Sequence, residues 1–123
     1  MAFECGPQIW LSCLNSTAAT CKESDARYEG KMVILTPDPQ TGLFTGEFVP
    51  KGGGTPQKLT GQCSNSSPHI TVKRTDAGGE THDYTGAKSG NKNMKGKHKK
   101  SKTKAKARQP VVDDDEWMAT KTT

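Results

Sequence analysis

Short alternating runs, each stopped by proline, glycine or asparagine, constrain this chain more than any other feature. Lys31 to Thr36 is rich in strand formers and stops at Pro37-Asp38-Pro39. Gly42 to Val49 alternates and stops at Pro50. Gln57 to Ser64 is closed by Asn65-Ser66-Ser67-Pro68. His69 to Thr75 sets Ile70 and Val72 on one face against Thr71 and Lys73 on the other. Asp76-Ala77-Gly78-Gly79 is a hairpin signal, and Glu80 to Lys88 follows it. With Gln8 to Leu14 as a first strand and residues 15–27 as a loop, the pattern predicts an antiparallel β-meander. Helical periodicity is absent.

A weak repeat runs through these strands. Leu43-Phe44-Thr45-Gly46, Lys58-Leu59-Thr60-Gly61 and Asp83-Tyr84-Thr85-Gly86 share an apolar-Thr-Gly core, and Tyr28-Glu29-Gly30 is a looser copy. Glycine normally weakens a strand, so its recurrence at one place predicts bends or bulges. The expected fold class is therefore all-β: a small antiparallel meander over residues 1–88 forming a curled sheet or incomplete barrel.

Beyond residue 88 the composition changes. Only 30% of the whole chain is apolar, so only part of it can bury a core. The net charge of +5 divides into −2 for residues 1–87, +10 for 88–108 and −3 for 109–123. The basic block, Lys88, Lys92, Lys95, Lys97, Lys99, Lys100, Lys102, Lys104, Lys106 and Arg108, has almost nothing apolar between its cations. Residues 89–110 are expected to be a disordered lysine-rich tail that binds nucleic acid or another polyanion without sequence specificity. A localisation signal and an anionic membrane surface are competing readings of such a run. The final segment, 111–123, carries Asp113, Asp114, Asp115 and Glu116 before Trp117 and Met118. It reads as a docking peptide anchored by Trp117 and Met118, or as an acidic strip that folds back on the basic run.

No stretch approaches the ~20 apolar residues of a membrane-spanning helix. The first seven residues lack the basic and apolar regions of a secretory signal. The four cysteines, Cys5, Cys13, Cys21 and Cys63, are compatible with two disulfides in any of three pairings or with free thiols. There is no Cys-x-x-Cys pair to suggest a structural zinc. Adjacent His82 and Asp83 would face opposite sides of a strand and cannot easily act as an acid–base pair. Cys63 with His69 or His82 is the one conceivable nucleophile, with no activating helix behind it. The chain is expected to be a non-enzymatic accessory or binding protein without a cofactor or metal.

Several stretches resemble the avidin and streptavidin barrels: Gln8 to Ser16, Met32 to Phe48 with its Leu43-Phe44-Thr45-Gly46-Glu47-Phe48, and Leu59-Thr60-Gly61. Ile70-Thr71-Val72 and Tyr84-Thr85-Gly86 fit the next two strands. The resemblance covers about residues 8–88. It implies a ligand site near Ser12, Ser16, Phe48, Arg74 and Tyr84. It also implies departures. Phe48 stands where the family has a hydroxyl-bearing tyrosine, and Arg74 and Tyr84 fall near positions filled by tryptophan. Losing buried hydrogen-bond partners lowers affinity steeply, so biotin is not the expected ligand. The alternative to polyanion binding is thus an avidin-like barrel holding a small ligand or a protein partner, with the tail as tether or localisation signal. Without the family's last two strands, such a barrel would have open edges for a partner or a second copy.

Overall fold

The computed structural model describes residues 5–66, 68–90, 92–102 and 111–122, with the backbone alone at 101–102 and 111–114. Eight antiparallel strands follow one another around a closed barrel. They are β1 (Gln8–Leu14), β2 (Tyr28–Ile34), β3 (Leu43–Pro50), β4 (Gln57–Cys63), β5 (Ile70–Thr75), β6 (Thr81–Ser89), β7 (Asn93–Lys102) and β8 (Val111–Lys121). Five of the first six lie within a residue of the runs read from the sequence, and β2 begins three residues before its run. Among the described residues no helix is long and apolar enough to cross a membrane.

The last two strands correct the expected tail. Residues 93–101 pair with β6, residues 111–120 with β7, and residues 117–121 with β1, which closes the barrel. Among the described residues, β7 pairs with β6 and β8 with β1, so the open edges expected at β6 and β1 are covered. The composition misled because the inward positions of β7 are few and atypical. Met94 and His98 are buried with Gly96 between them, while Lys95, Lys97 and Lys99 face out. The opposite charges of the two blocks become neighbours: Lys97 lies opposite Glu116, His98 opposite Asp115, Lys99 opposite Asp114 and Lys100 opposite Asp113. Lys97 and Glu116 form an ion pair. Unlike charges facing each other across strands favour this register. The fold-back reading of the acidic segment therefore holds, as strand pairing. Lys88 is the penultimate residue of β6, Lys92 is in the following turn, and Lys104, Lys106 and Arg108 lie outside the described residues.

The expected docking anchors are also corrected. Trp117 and Met118 are buried, on opposite faces of β8. Trp117 joins the interior with Trp10, Met32, Phe44, Leu59 and Tyr84. Met118 packs with Tyr28, Cys13 and Cys21 in a smaller cluster. Full burial of such side chains contributes roughly 1.5–3 kcal/mol each, which outweighs keeping them exposed for a partner.

The Thr-Gly repeat has a steric cause. A Cβ at Gly61 would collide with the Thr71 carbonyl and the Phe44 ring, and one at Gly86 would lie 2.6 Å from the Trp117 indole. These glycines let large interior rings and neighbouring strands come close. Two disulfides fasten the ends of the structure. Cys5–Cys63 ties the N-terminal segment to the end of β4, and Cys13–Cys21 pins the loop after β1. No described cysteine is free, so the Cys63 nucleophile is eliminated.

Candidate polar site inside the barrel

One end of the barrel is filled by apolar side chains and the Cys5–Cys63 bridge. The other end lies at the close of β1, β3, β5 and β7 and the start of β2, β4, β6 and β8. Here the interior turns polar. Ser12, Glu29, Phe48, Gln57, Arg74, Tyr84, His98 and Trp117 come one from each strand.

Arg74 is the centre of this belt, with its side chain only 6% exposed. One terminal nitrogen donates to Gln57 Oε1 at 2.5 Å. The other donates to the Tyr84 hydroxyl at 2.9 Å and reaches Glu29 Oε1 at 3.4 Å. The guanidinium lies 3.9 Å above the centre of the Phe48 ring, a cation–π contact. Its Nε is buried and has no hydrogen-bond partner among the described residues. Glu29 in turn accepts from Ser12 Oγ at 2.6 Å and from the Tyr84 hydroxyl at 3.1 Å. Trp117 Nε1 donates to Ser12 Oγ at 2.9 Å. Burial, and then the nearby Glu29 charge, push the Tyr84 hydroxyl well above its ordinary pKa, so it stays protonated.

Glu29 enters the barrel through a bulge. Ser12 pairs with Gly30 and Cys13 with Tyr28, which leaves Glu29 without a partner on β1. The bulge turns its carboxylate inward while Tyr28 packs in the smaller cluster with Cys13. The looser Tyr28-Glu29-Gly30 copy of the repeat was the sequence signal for a bulge here, but nothing marked Glu29 as part of a site.

A second line of groups adjoins the belt. His82 Nδ1 and His98 Nε2 are 2.8 Å apart. His82 Nε2 is 2.8 Å from Asp76 Oδ2, and His98 Nδ1 is 3.0 Å from Asp115 Oδ2. Asn15 donates to the other Asp115 oxygen at 2.9 Å. The ring of Tyr84 lies 4.8 Å from that of His98 and 5.2 Å from that of Trp117. The carboxyls of Asp76 and Asp115 are both held below the usual range. In each, burial acts upward and hydrogen bonds outweigh it, chiefly from His82 at Asp76 and from Asn15 at Asp115.

Of the residues implied by the resemblance, Ser12, Phe48, Arg74 and Tyr84 converge. Ser16 does not; it lies in the loop after β1 and donates to Asp25 at 2.7 Å. His69 sits apart and accepts from the Lys88 backbone at 3.0 Å. His82 points inward and Asp83 outward, as strand alternation requires. His98 and Asp115 were hidden inside blocks read as basic and acidic tails.

No protein-family model and no curated protein matches this chain in sequence. Among solved structures, that of a bradavidin2–biotin complex superposes with a TM-score of 0.64 at 17% identity, over 96% of this chain and 98% of that one. The avidin-like barrel implied by the resemblance is thus the fold of this chain.

Proposed function

We propose that the barrel is a binding protein that holds a small polar ligand at its polar end, against Arg74. The observation that carries this reading is the buried Arg74 Nε, which has a donor hydrogen and no acceptor among the described residues. An unmade hydrogen bond of this kind costs about 1–3 kcal/mol, and a ligand oxygen would recover it. Around it, Glu29 and the Tyr84 hydroxyl supply acceptor and donor for a second polar group, and the Phe48 and Trp117 rings supply apolar walls. The likeness to the bradavidin2–biotin complex supports a ligand inside the barrel. The ion-paired Arg74 and Glu29 suit a ligand that carries a carboxylate, an amide or a similar polar group.

Polyanion binding by the basic block is the weaker reading. Acids stand opposite the β7 lysines and reduce the field that such binding needs.

Scanning fluorimetry of the full oxidised chain against small carboxylates, amides, cyclic ureas and biotin tests the proposal. A ligand at one hundred times its Kd adds about 2.7 kcal/mol of stability. Arg74→Lys keeps the charge but removes Nε, and should abolish the thermal shift produced by the ligand. No shift with any compound, or an unchanged shift in Arg74→Lys, would overturn the proposal.

A further inference from the structure

We infer that Asp76, Glu80 and His82 form a binding site for a divalent transition-metal ion of the zinc type at the β5–β6 hairpin. One potential ligand atom from each residue lies within 4.8 Å of the others. One imidazole with two carboxylates suits zinc and its neighbours, whereas magnesium and calcium take oxygen ligands.

Two of the three side chains, Asp76 and His82, are pre-positioned. Asp76 Oδ1 accepts from the backbone N–H groups of Gly78 at 2.9 Å and Glu80 at 3.0 Å, which aims Oδ2 at His82. The hairpin turn therefore sets the carboxylate and not only the chain direction. His82 Nε2 faces Asp76 Oδ2 at 2.8 Å, and this pair has to open by only about half an ångström to admit zinc at its usual bond lengths.

Independent support comes from the groups behind His82. Its Nδ1 meets His98 Nε2, and His98 Nδ1 meets Asp115, so the line runs Asp76, His82, His98, Asp115. With a metal ion on His82 Nε2, His82 Nδ1 would donate to His98 and His98 Nδ1 to Asp115. A metal-bound histidine that donates its other ring N–H into an outer hydrogen-bonded chain is the usual supporting arrangement. Lys100 is the competitor, since its Nζ lies 2.8 Å from Glu80 Oε2.

Calorimetric titration of zinc chloride into the untagged, oxidised, chelator-treated full chain tests the site. The expected result is one ion per chain and no comparable binding of magnesium. Glu80→Gln and His82→Gln should each weaken binding at least tenfold. Lys100→Gln should tighten it severalfold, a gain that a misfolded variant cannot mimic; near-UV circular dichroism checks the fold of all three. Absence of one-to-one zinc binding would overturn the inference. So would unchanged affinity in both Glu80→Gln and His82→Gln, or an unchanged or weaker affinity in folded Lys100→Gln.

Discussion

Trp117 donates its indole N–H to Ser12 Oγ at 2.9 Å, joining the last strand to the first across 105 residues. The same side chain fills the space beside Gly86. The C-terminal segment is thus part of the core. Trp117→Ala should cost about 3–5 kcal/mol, chiefly by leaving a cavity. Deleting residues 111–123 should abolish cooperative unfolding. A truncated chain that melts cooperatively near the parent temperature would show that the barrel does not depend on β8.

The sequence revealed the first six strands because their alternation and their stops are both written in residue type. Ile70 and Val72 against Thr71 and Lys73 read as a strand in isolation. The inner face of β7, Met94, Gly96 and His98, holds a single aliphatic side chain, so alternation there looked like solvated charge. The two blocks stabilise each other only when they are side by side, and no local window contains that pairing. The site was legible to a similar extent. Ser12, Phe48, Arg74 and Tyr84 came from the resemblance and do converge. Glu29 depended on a bulge, and His98 and Asp115 depended on strands that composition concealed.

The two disulfides should contribute unequally. Cys5 and Cys63 are 58 residues apart in sequence, Cys13 and Cys21 only 8. Chain-entropy reasoning gives about 4 kcal/mol for the first and about 2.5 kcal/mol for the second. Urea melts of the paired Cys→Ser variants measure both. A larger loss from opening Cys13–Cys21 would mean that its role in packing Tyr28 and Met118 exceeds the loop-closure term.

Asp115 should make the barrel sensitive to acid. Its folded pKa lies below the ordinary 3.8 because hydrogen bonds from Asn15 and His98 outweigh burial. A depressed carboxyl pKa adds stability that is present above the unfolded value and is lost as pH falls through the folded one. Asn15 has a φ of 58°, which glycine adopts without strain. Asn15→Gly should therefore keep the backbone, raise the Asp115 pKa and move the acid-unfolding midpoint to higher pH. Carboxyl NMR titration of Asp115 in the two proteins is the direct check, and an unchanged pKa would remove Asn15 from the account. At the alkaline end Tyr84 behaves in the opposite sense. Its raised pKa gives stability that is full below pH 10 and declines as the unfolded chain ionises above it.

Arg74 and Glu29 should prove costly to separate and cheap to remove together. Both are largely withdrawn from water, with side-chain exposures of 6% and 15%. Arg74→Met leaves the Glu29 carboxylate with only Ser12 and Tyr84 as donors and no counter-charge. Breaking a buried pair from one side typically costs about 3–5 kcal/mol. Glu29→Gln alone strands the guanidinium above Phe48 and should be similarly harmful. In the double variant, Met and Gln sit against Phe48 with no charge left uncompensated, and most of the loss should be recovered. A double-mutant cycle in urea gives the coupling directly. Strictly additive losses would mean that the 3.4 Å contact contributes little and that Tyr84 and Gln57 hold Arg74 without Glu29.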